Sequence, residues 1–388
     1  MGGEFVIAAK RVVADGPDGG RLLEPGLVRI VDGVVAEVRR GRPDGVPDVQ
    51  LLAGFLAPGL IDLQVNGYFG VDLVDADPGG WARVAEGLPR TGVTAFVPTF
   101  ISAPVPVLVD ALRRTADLLP RLRDGARVLG VHVEGPFLSR RHKGAHNEAW
   151  LTDPDPKSVL ALVEAGRDLL SIVTLAPERT GALDAVRTLA EAGVLVSLGH
   201  SDATADQARA AADAGARKVT HLFNAQRPLH HREPGLAGQA LTDPRLASGL
   251  IVDLHHVAGP VCRLALAAAP GRICLVTDAV SAAGMPPGEY VLGDRRVTMG
   301  ETGSPVLPDG TLAGSTLRLD EAVGNLVGLG VDPVAAVDAA TRVPADLVGR
   351  GDLGRIAPGA PADLVWLDDE LRARKTWIGG TPVFGDAP

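Results

Sequence analysis

Eight short apolar runs, each separated from the next by a stretch long enough for a helix, most constrain what this 388-residue chain can fold into. The runs cover residues 59–65, 93–99, 128–134, 171–175, 194–200, 218–222, 248–254 and 273–278, and they are rich in Val, Leu and Ile without a polar residue at every second place. A strand buried on both faces needs such a continuous run, and parallel neighbours need a crossover of helical length. The segments 104–123, 156–168, 181–192, 204–214 and 259–268, with 315–330 and 332–349 after the last run, carry Ala, Leu, Arg and Glu at helical spacing. The pattern predicts an α/β chain whose centre is a (β/α)8 TIM-type barrel.

The two ends have a different texture. Residues 4–56 break short valine-rich runs with Gly, Pro and Asp, and the same texture returns over 354–367 and 375–383, as expected of hairpin strands. We expect residues 1–57 and 351–388 to form one discontinuous β-sandwich domain beside a catalytic barrel over 58–350. Hydrophobic residues make up 46% of the chain and charged ones 22%, which suits a folded chain rather than a disordered one. A net charge of −9 without any basic stripe argues against a nucleic-acid partner. Cys262 and Cys274 both sit in apolar segments and read as inert buried thiols rather than a disulfide framework. No uncharged apolar stretch approaches the ~18 residues of a membrane span, so a cytoplasmic chain without a membrane partner is expected.

Chemistry enters at the ends of four runs, on Glu134, His200, His221 and Asp278. The C-terminal ends of barrel strands converge on one mouth, so residues far apart in sequence can meet there. One carboxylate and two imidazoles are a ligand set for a catalytic divalent cation with a position left for water. Asp278 would then move protons between that water and a leaving group. A lone aspartate at a strand end is more commonly a turn or cap residue, and His200 stands before Ser201-Asp202-Ala203-Thr204, which also suits a helix start. Four convergent positions outweigh that reading for Asp278; for His200 the ligand and the structural readings stand even on these residues alone. His132, two residues before Glu134, points to the same strand face and is expected to support the site or fill the core rather than ligate. His146, the Asn224-Ala225 turn, Arg232 and His256 suit an anionic or hydroxylated ligand, although Arg232 taken alone reads as a solvated loop residue.

In order along the chain, Pro58-Gly-Leu-Ile-Asp-Leu-Gln64-Val-Asn66-Gly, Val133-Glu134-Gly-Pro-Phe-Leu, Lys143-Gly-Ala145-His146-Asn, Gly199-His200-Ser-Asp-Ala, Thr220-His221-Leu-Phe-Asn224-Ala225, Arg232-Glu-Pro-Gly, Asp253-Leu-His-His256-Val, Val276-Thr-Asp278-Ala and Leu312-Ala-Gly-Ser315 resemble segments of the N-acetylglucosamine-6-phosphate deacetylase family, within the amidohydrolase superfamily. That resemblance implies hydrolysis of N-acetyl-D-glucosamine 6-phosphate to D-glucosamine 6-phosphate and acetate, in amino-sugar catabolism and cell-wall sugar recycling. It implies Glu134, His200 and His221 as ligands of one divalent metal per subunit, zinc first, with iron, manganese or cobalt as alternatives. Asp278 becomes the general base and acid, and Ala145, His146, Asn224, Ala225, His256 and Leu312 contact the small-molecule sugar phosphate. Arg232 is implied to reach the phosphate in the neighbouring active site of a homodimer.

Many members of the superfamily carry His-x-His on the first strand and bind two metals. Gln64 and Asn66 stand there in this chain, which favours a single metal. The alternative is a second, weaker metal site or a substrate contact at Gln64. Which of His255 and His256 faces inward, and which N-acetylhexosamine phosphate is preferred, stay open at this level, as does a different amidohydrolase activity on a cyclic amide or an N-acyl amino acid.

Overall fold

A computed structural model describes residues 3–43 and 45–385, so the outermost residues of the expected end domain, and Asp44 within it, lie outside the described residues. Eight parallel strands form the centre: β1 (Leu60–Val65), β2 (Val93–Ile101), β3 (Val131–Glu134), β4 (Leu170–Leu175), β5 (Leu195–Leu198), β6 (Lys218–Val219), β7 (Ala247–Leu250) and β8 (Ile273–Leu275). They pair in sequence order from β1 to β8. The remaining gap between β8 and β1 is spanned by backbone bonds: the Asp278 N–H donates to the Gln64 carbonyl at 3.0 Å and the Asn66 N–H to the Ala279 carbonyl at 2.8 Å. This is the expected (β/α)8 barrel, nearly closed.

Burial explains why the runs were readable. All nine residues of β2 are buried, and Val131, Val133, Ile172, Val173, Val196 and Leu198 pack into one continuous apolar core with the surrounding helices. Helix starts follow local chemistry: Thr204 and Gln207 form a reciprocal cap on Ala205–Ala214, and Asp155 caps Pro156–Gly166 by accepting from the Ser158 N–H. The helical stretch 332–349 is two helices, Pro333–Asp338 and Arg342–Leu347, because Thr341 leaves helical geometry at φ −133° and ψ −79°. Features not expected include helices Pro78–Gly87 and Gly235–Thr242, a small pair of Gly67–Tyr68 with Val71–Asp72, and a hairpin of Gly288–Leu292 with Arg295–Met299 and Pro305–Val306 that follows β8 over the barrel mouth.

The chain ends build two sheets. One orders Val34–Arg40, Gly26–Val31, Glu4–Ala9 and Val49–Leu51; the other runs Thr381–Phe384, Ala373–Ile378, Leu364–Leu367, Phe55–Pro58, Val12–Gly16 and Gly19–Leu23. Leu364–Leu367 pairs antiparallel with Phe55–Pro58, which ties the two ends of the chain together. Ile7, Val28, Ile30 and Val35 of the first sheet meet Val12, Leu56, Leu364 and Trp377 of the second in a separate apolar cluster. No helix of the described residues is long and apolar enough to cross a membrane.

Candidate metal centre

Glu134 is the last residue of β3, whereas His200, His221 and Asp278 lie just past β5, β6 and β8, where regular pairing has stopped. The three have φ of +47°, +27° and +51°. A left-handed backbone at a residue other than glycine costs about 1–3 kcal/mol and persists only where the surroundings impose it. Here the sharp turn throws each side chain across the mouth, and the Ser139 N–H, donating to the His200 carbonyl at 2.9 Å, holds one of these turns in place.

The three donors meet closely. Glu134 Oε1 stands 3.1 Å from His200 Nε2 and 3.0 Å from His221 Nε2, and the two nitrogens are 3.0 Å apart. His200 Nδ1 lies 3.0 Å from the His142 carbonyl. A carbonyl only accepts, so Nδ1 carries the hydrogen and Nε2 presents its lone pair inward, the arrangement a metal-ligating histidine needs. Ligand atoms about 2.0–2.1 Å from a tetrahedral cation stand roughly 3.3 Å apart, so this triangle fits a zinc-sized ion after shifts of a few tenths of an ångström. Burial by itself would raise the Glu134 carboxyl, but the two imidazoles packed against it hold it well below the usual carboxylate range. The result is a fixed negative charge between two imidazoles.

Asp278 sits on the other side of Gln64. Gln64 Nε2 donates to Glu134 Oε2 at 3.2 Å and to Asp278 Oδ1 at 3.1 Å, and Asn66 Nδ2 donates to the same Asp278 oxygen at 2.7 Å. The two amides therefore orient the two carboxylates. Burial, and then the negative charge of Glu134, push the Asp278 carboxyl upward, as suits a group that takes and returns a proton. The amide oxygens Gln64 Oε1 and Asn66 Oδ1 are buried with no partner among the described residues.

His146 is set by a residue the sequence reading did not single out. The Ser102 N–H donates to His146 Nδ1 at 3.2 Å, which leaves the ring hydrogen on Nε2, and the Ser102 hydroxyl lies 2.8 Å from the same nitrogen. Burial pushes His146 well below its ordinary range, so the imidazole is a neutral donor. Ser102 follows directly on β2, and that strand-end position was the signal available for it. His256 Nδ1 lies 2.6 Å from Asp253 Oδ2, while His255 is exposed, so His256 is the inward imidazole. His132 bridges Thr99 Oγ1 at 3.2 Å and Thr174 Oγ1 at 2.7 Å beneath the site.

A cavity of about 360 Å3 opens over this centre, and Ala145, His146, Asn224, Ala225, His256 and Leu312 line it together with Glu134, His200, His221 and Asp278. Gln64 is wholly buried and outside that lining; Arg232 is exposed and also outside it. Among the lining residues not foreseen are Ile101 and Leu292, which make an apolar wall, Ile251, and Arg141, whose guanidinium pairs with Asp202 at 3.2 Å.

The sequence model of the Amidohydrolase family matches residues 55–384. An N-acetylgalactosamine-6-phosphate deacetylase of Escherichia coli O157:H7 is 41% identical over 92% of this chain and 94% of its own length. The N-acetylglucosamine-6-phosphate deacetylase of Homo sapiens is 38% identical over 94% of this chain and 90% of its own. Among solved structures, a point mutant of the Mycobacterium smegmatis N-acetyl-D-glucosamine-6-phosphate deacetylase in complex with N-acetyl-D-glucosamine-6-phosphate superposes with a TM-score of 0.93 at 34% identity, covering 99% of this chain and 100% of that one. The Thermotoga maritima enzyme of the same name gives 0.88 at 31% identity, over 98% of this chain and 100% of its own. With a barrel whose mouth gathers one carboxylate and two imidazoles, and with relatives of this identity over nearly its whole length, the chain belongs to the amidohydrolase family.

Proposed function

We propose that this chain hydrolyses N-acetyl-D-glucosamine 6-phosphate to D-glucosamine 6-phosphate and acetate, in amino-sugar catabolism and cell-wall sugar recycling. The observation that carries the reading is the meeting of Glu134, His200 and His221 within 3.1 Å at the floor of the cavity, with Asp278 held opposite by Gln64 and Asn66. One divalent cation per subunit bound there would activate water near neutral pH and polarise the acyl oxygen. Zinc suits the mixed imidazole and carboxylate set; iron, manganese and cobalt are the alternatives. Gln64 and Asn66 carry amides where a second centre would need imidazoles, and that weaker donor chemistry supports a single metal over a second site at Gln64.

Asp278 takes a proton from the attacking water and delivers it to the departing amine nitrogen. The Nε2–H of His146 faces the cavity as a neutral donor for the acyl oxygen as negative charge develops on it. His256, held by Asp253, meets a sugar hydroxyl, with Ala145 and Leu312 enclosing the ring. The turn at Asn224 and Ala225, where Ala225 has φ +49°, offers the Ala225 amide to the phosphate. Arg232 completes the phosphate site of a neighbouring subunit, which makes the working unit a homodimer; its exposure and its absence from its own cavity support this. We further propose that the sheets of 1–57 and 351–388 are a unit distinct from the 58–350 barrel, and that the enzyme is cytoplasmic.

The test is Asp278→Asn. Acetate release should fall by about 10³-fold while elemental analysis still finds metal bound; an undiminished kcat removes Asp278 from the mechanism. Phosphorylated and unphosphorylated N-acetylglucosamine should be compared in the same assay, since equal kcat/KM would leave the phosphate reading without a purpose. The 41% identity to an N-acetylgalactosamine-6-phosphate deacetylase favours the C4 epimer as a second reading, and running both sugars side by side decides between them.

A further inference from the structure

An apolar wall of the cavity stands beside the residues that handle the acyl group. Ile101 is the register partner of Glu134 across β2 and β3, and the next residue, Ser102, holds His146. Ile101 packs in one buried cluster with Ala145, the neighbour of His146, and with Leu292 of the hairpin, exposed by 7%, 9% and 4% respectively. On the opposite side, the apolar lining comes from Ile251, just past β7.

This wall is braced from behind. Gly293 follows Leu292 with φ +56°, and a Cβ there would stand 2.9 Å from Ile101 Cδ1 and 3.0 Å from Cγ1, so the hairpin turn presses its bare backbone on the Ile101 side chain. The turn is tied to the barrel at two points. The Gly293 N–H donates to Asp72 Oδ2 at 2.6 Å, and the Asp294 carboxylate accepts from Asn147 Nδ2 at 2.6 Å and from Trp150 Nε1 at 2.8 Å. For the wall to recede, hydrogen bonds to two carboxylates must break.

We infer that Ile101 and Leu292, braced by the Gly293–Asp294 turn, form the wall that the acyl substituent meets and restrict the enzyme to N-acetyl and smaller acyl groups. The inference rests on the deacetylase reading above. With the amide carbon between Glu134 and Asp278 and its oxygen at the His146 N–H, the sugar extends toward Asn224 and His256. The acyl substituent is then left pointing at the wall that Glu134 and His146 share.

The experiment is a series of N-formyl, N-acetyl, N-propionyl and N-butyryl glucosamine 6-phosphates, with carboxylate release as the readout. For the natural chain, kcat/KM should fall about tenfold or more for each methylene beyond acetyl, the discrimination typical of one methylene in a tight apolar pocket. Leu292→Ala and Ile101→Ala should raise the propionyl-to-acetyl ratio about tenfold. Ile101→Val, which removes one methyl and spares the core, should move it the same way by less. Ile251→Ala should leave that ratio where it is. Equal turnover of propionyl and acetyl by the natural chain overturns the wall, as does a ratio unmoved in all three wall variants or shifted by Ile251→Ala. Absence of release from every member of the series overturns the deacetylase reading instead, together with the wall that depends on it.

Discussion

His200, His221 and Asp278 are legible in the sequence as residue types at the ends of apolar runs, but the backbone that aims them is not. Their left-handed φ values arise from tertiary bonds, such as that from the Ser139 N–H to the His200 carbonyl, which no local pattern encodes. The same holds for His132, whose two threonine partners come from neighbouring strands. Burial pushes His132 down to about 3 from its ordinary 6.5. The folded chain therefore keeps this ring neutral where the unfolded chain protonates it. Its contribution to stability is fully present above pH 6.5 and is lost as pH falls from there toward 3, by about 1.4 kcal/mol per pH unit. Urea unfolding of the natural chain and of His132→Gln at pH 7.5 and pH 5 should show the natural chain losing more stability on acidification than the variant. Equal losses would mean that His132 already titrates in the folded state. Gly144 offers a second check: with φ +56°, and with a Cβ there only 3.1 Å from His200 Cε1, Gly144→Ala should displace the imidazole and weaken metal binding by about tenfold, read by chelator competition.

At the scale of elements, the hairpin over the mouth is where function depends on a segment the sequence left unread. Asp294 receives its two side-chain bonds from the segment Asn147–Trp150 directly after His146. Asp294→Ala should loosen that hairpin over the cavity and raise KM about threefold to tenfold, the effect of losing about 1 kcal/mol, with the melting temperature nearly unchanged because the site is exposed. A fall in kcat with KM constant would instead place the hairpin in the chemical step. The barrel strands were readable because each is buried on both faces and so carries an unbroken apolar run. The hairpin strands are half exposed and only five residues long, too short for their alternation to stand out. Helices Pro78–Gly87 and Gly235–Thr242 were hidden by Gly79, Gly80, Gly235 and Gly238, since glycine disfavours a helix unless packing imposes it. The wall residue Leu292 was lost to the reading with its hairpin, and Ile101 because a buried strand residue looks the same whether it faces helices or a cavity.

For the whole molecule, the open question is whether one chain makes a complete site. Arg232 is solvent-exposed on the loop after the Asn224-Ala225 turn and does not line the cavity of its own chain, where Arg141 is engaged by Asp202. If Arg232 serves a neighbour across a two-fold axis, each site combines Asp278 of one chain with Arg232 of the other. Arg232→Ala and Asp278→Asn homodimers should then both be nearly inactive on the sugar phosphate. Mixed and re-equilibrated, they should yield heterodimers in which one site has both natural residues and the other has neither. With random assortment, half the dimers are mixed and half of their sites are intact, so activity should recover to about a quarter of the natural value. The recovery should appear at the rate of subunit exchange, and KM should return to that of the natural enzyme, because each restored site is whole. Arg232 acting within its own chain would leave the mixture no more active than the two preparations assayed apart, and sedimentation of the same samples would then show whether the chains associate at all.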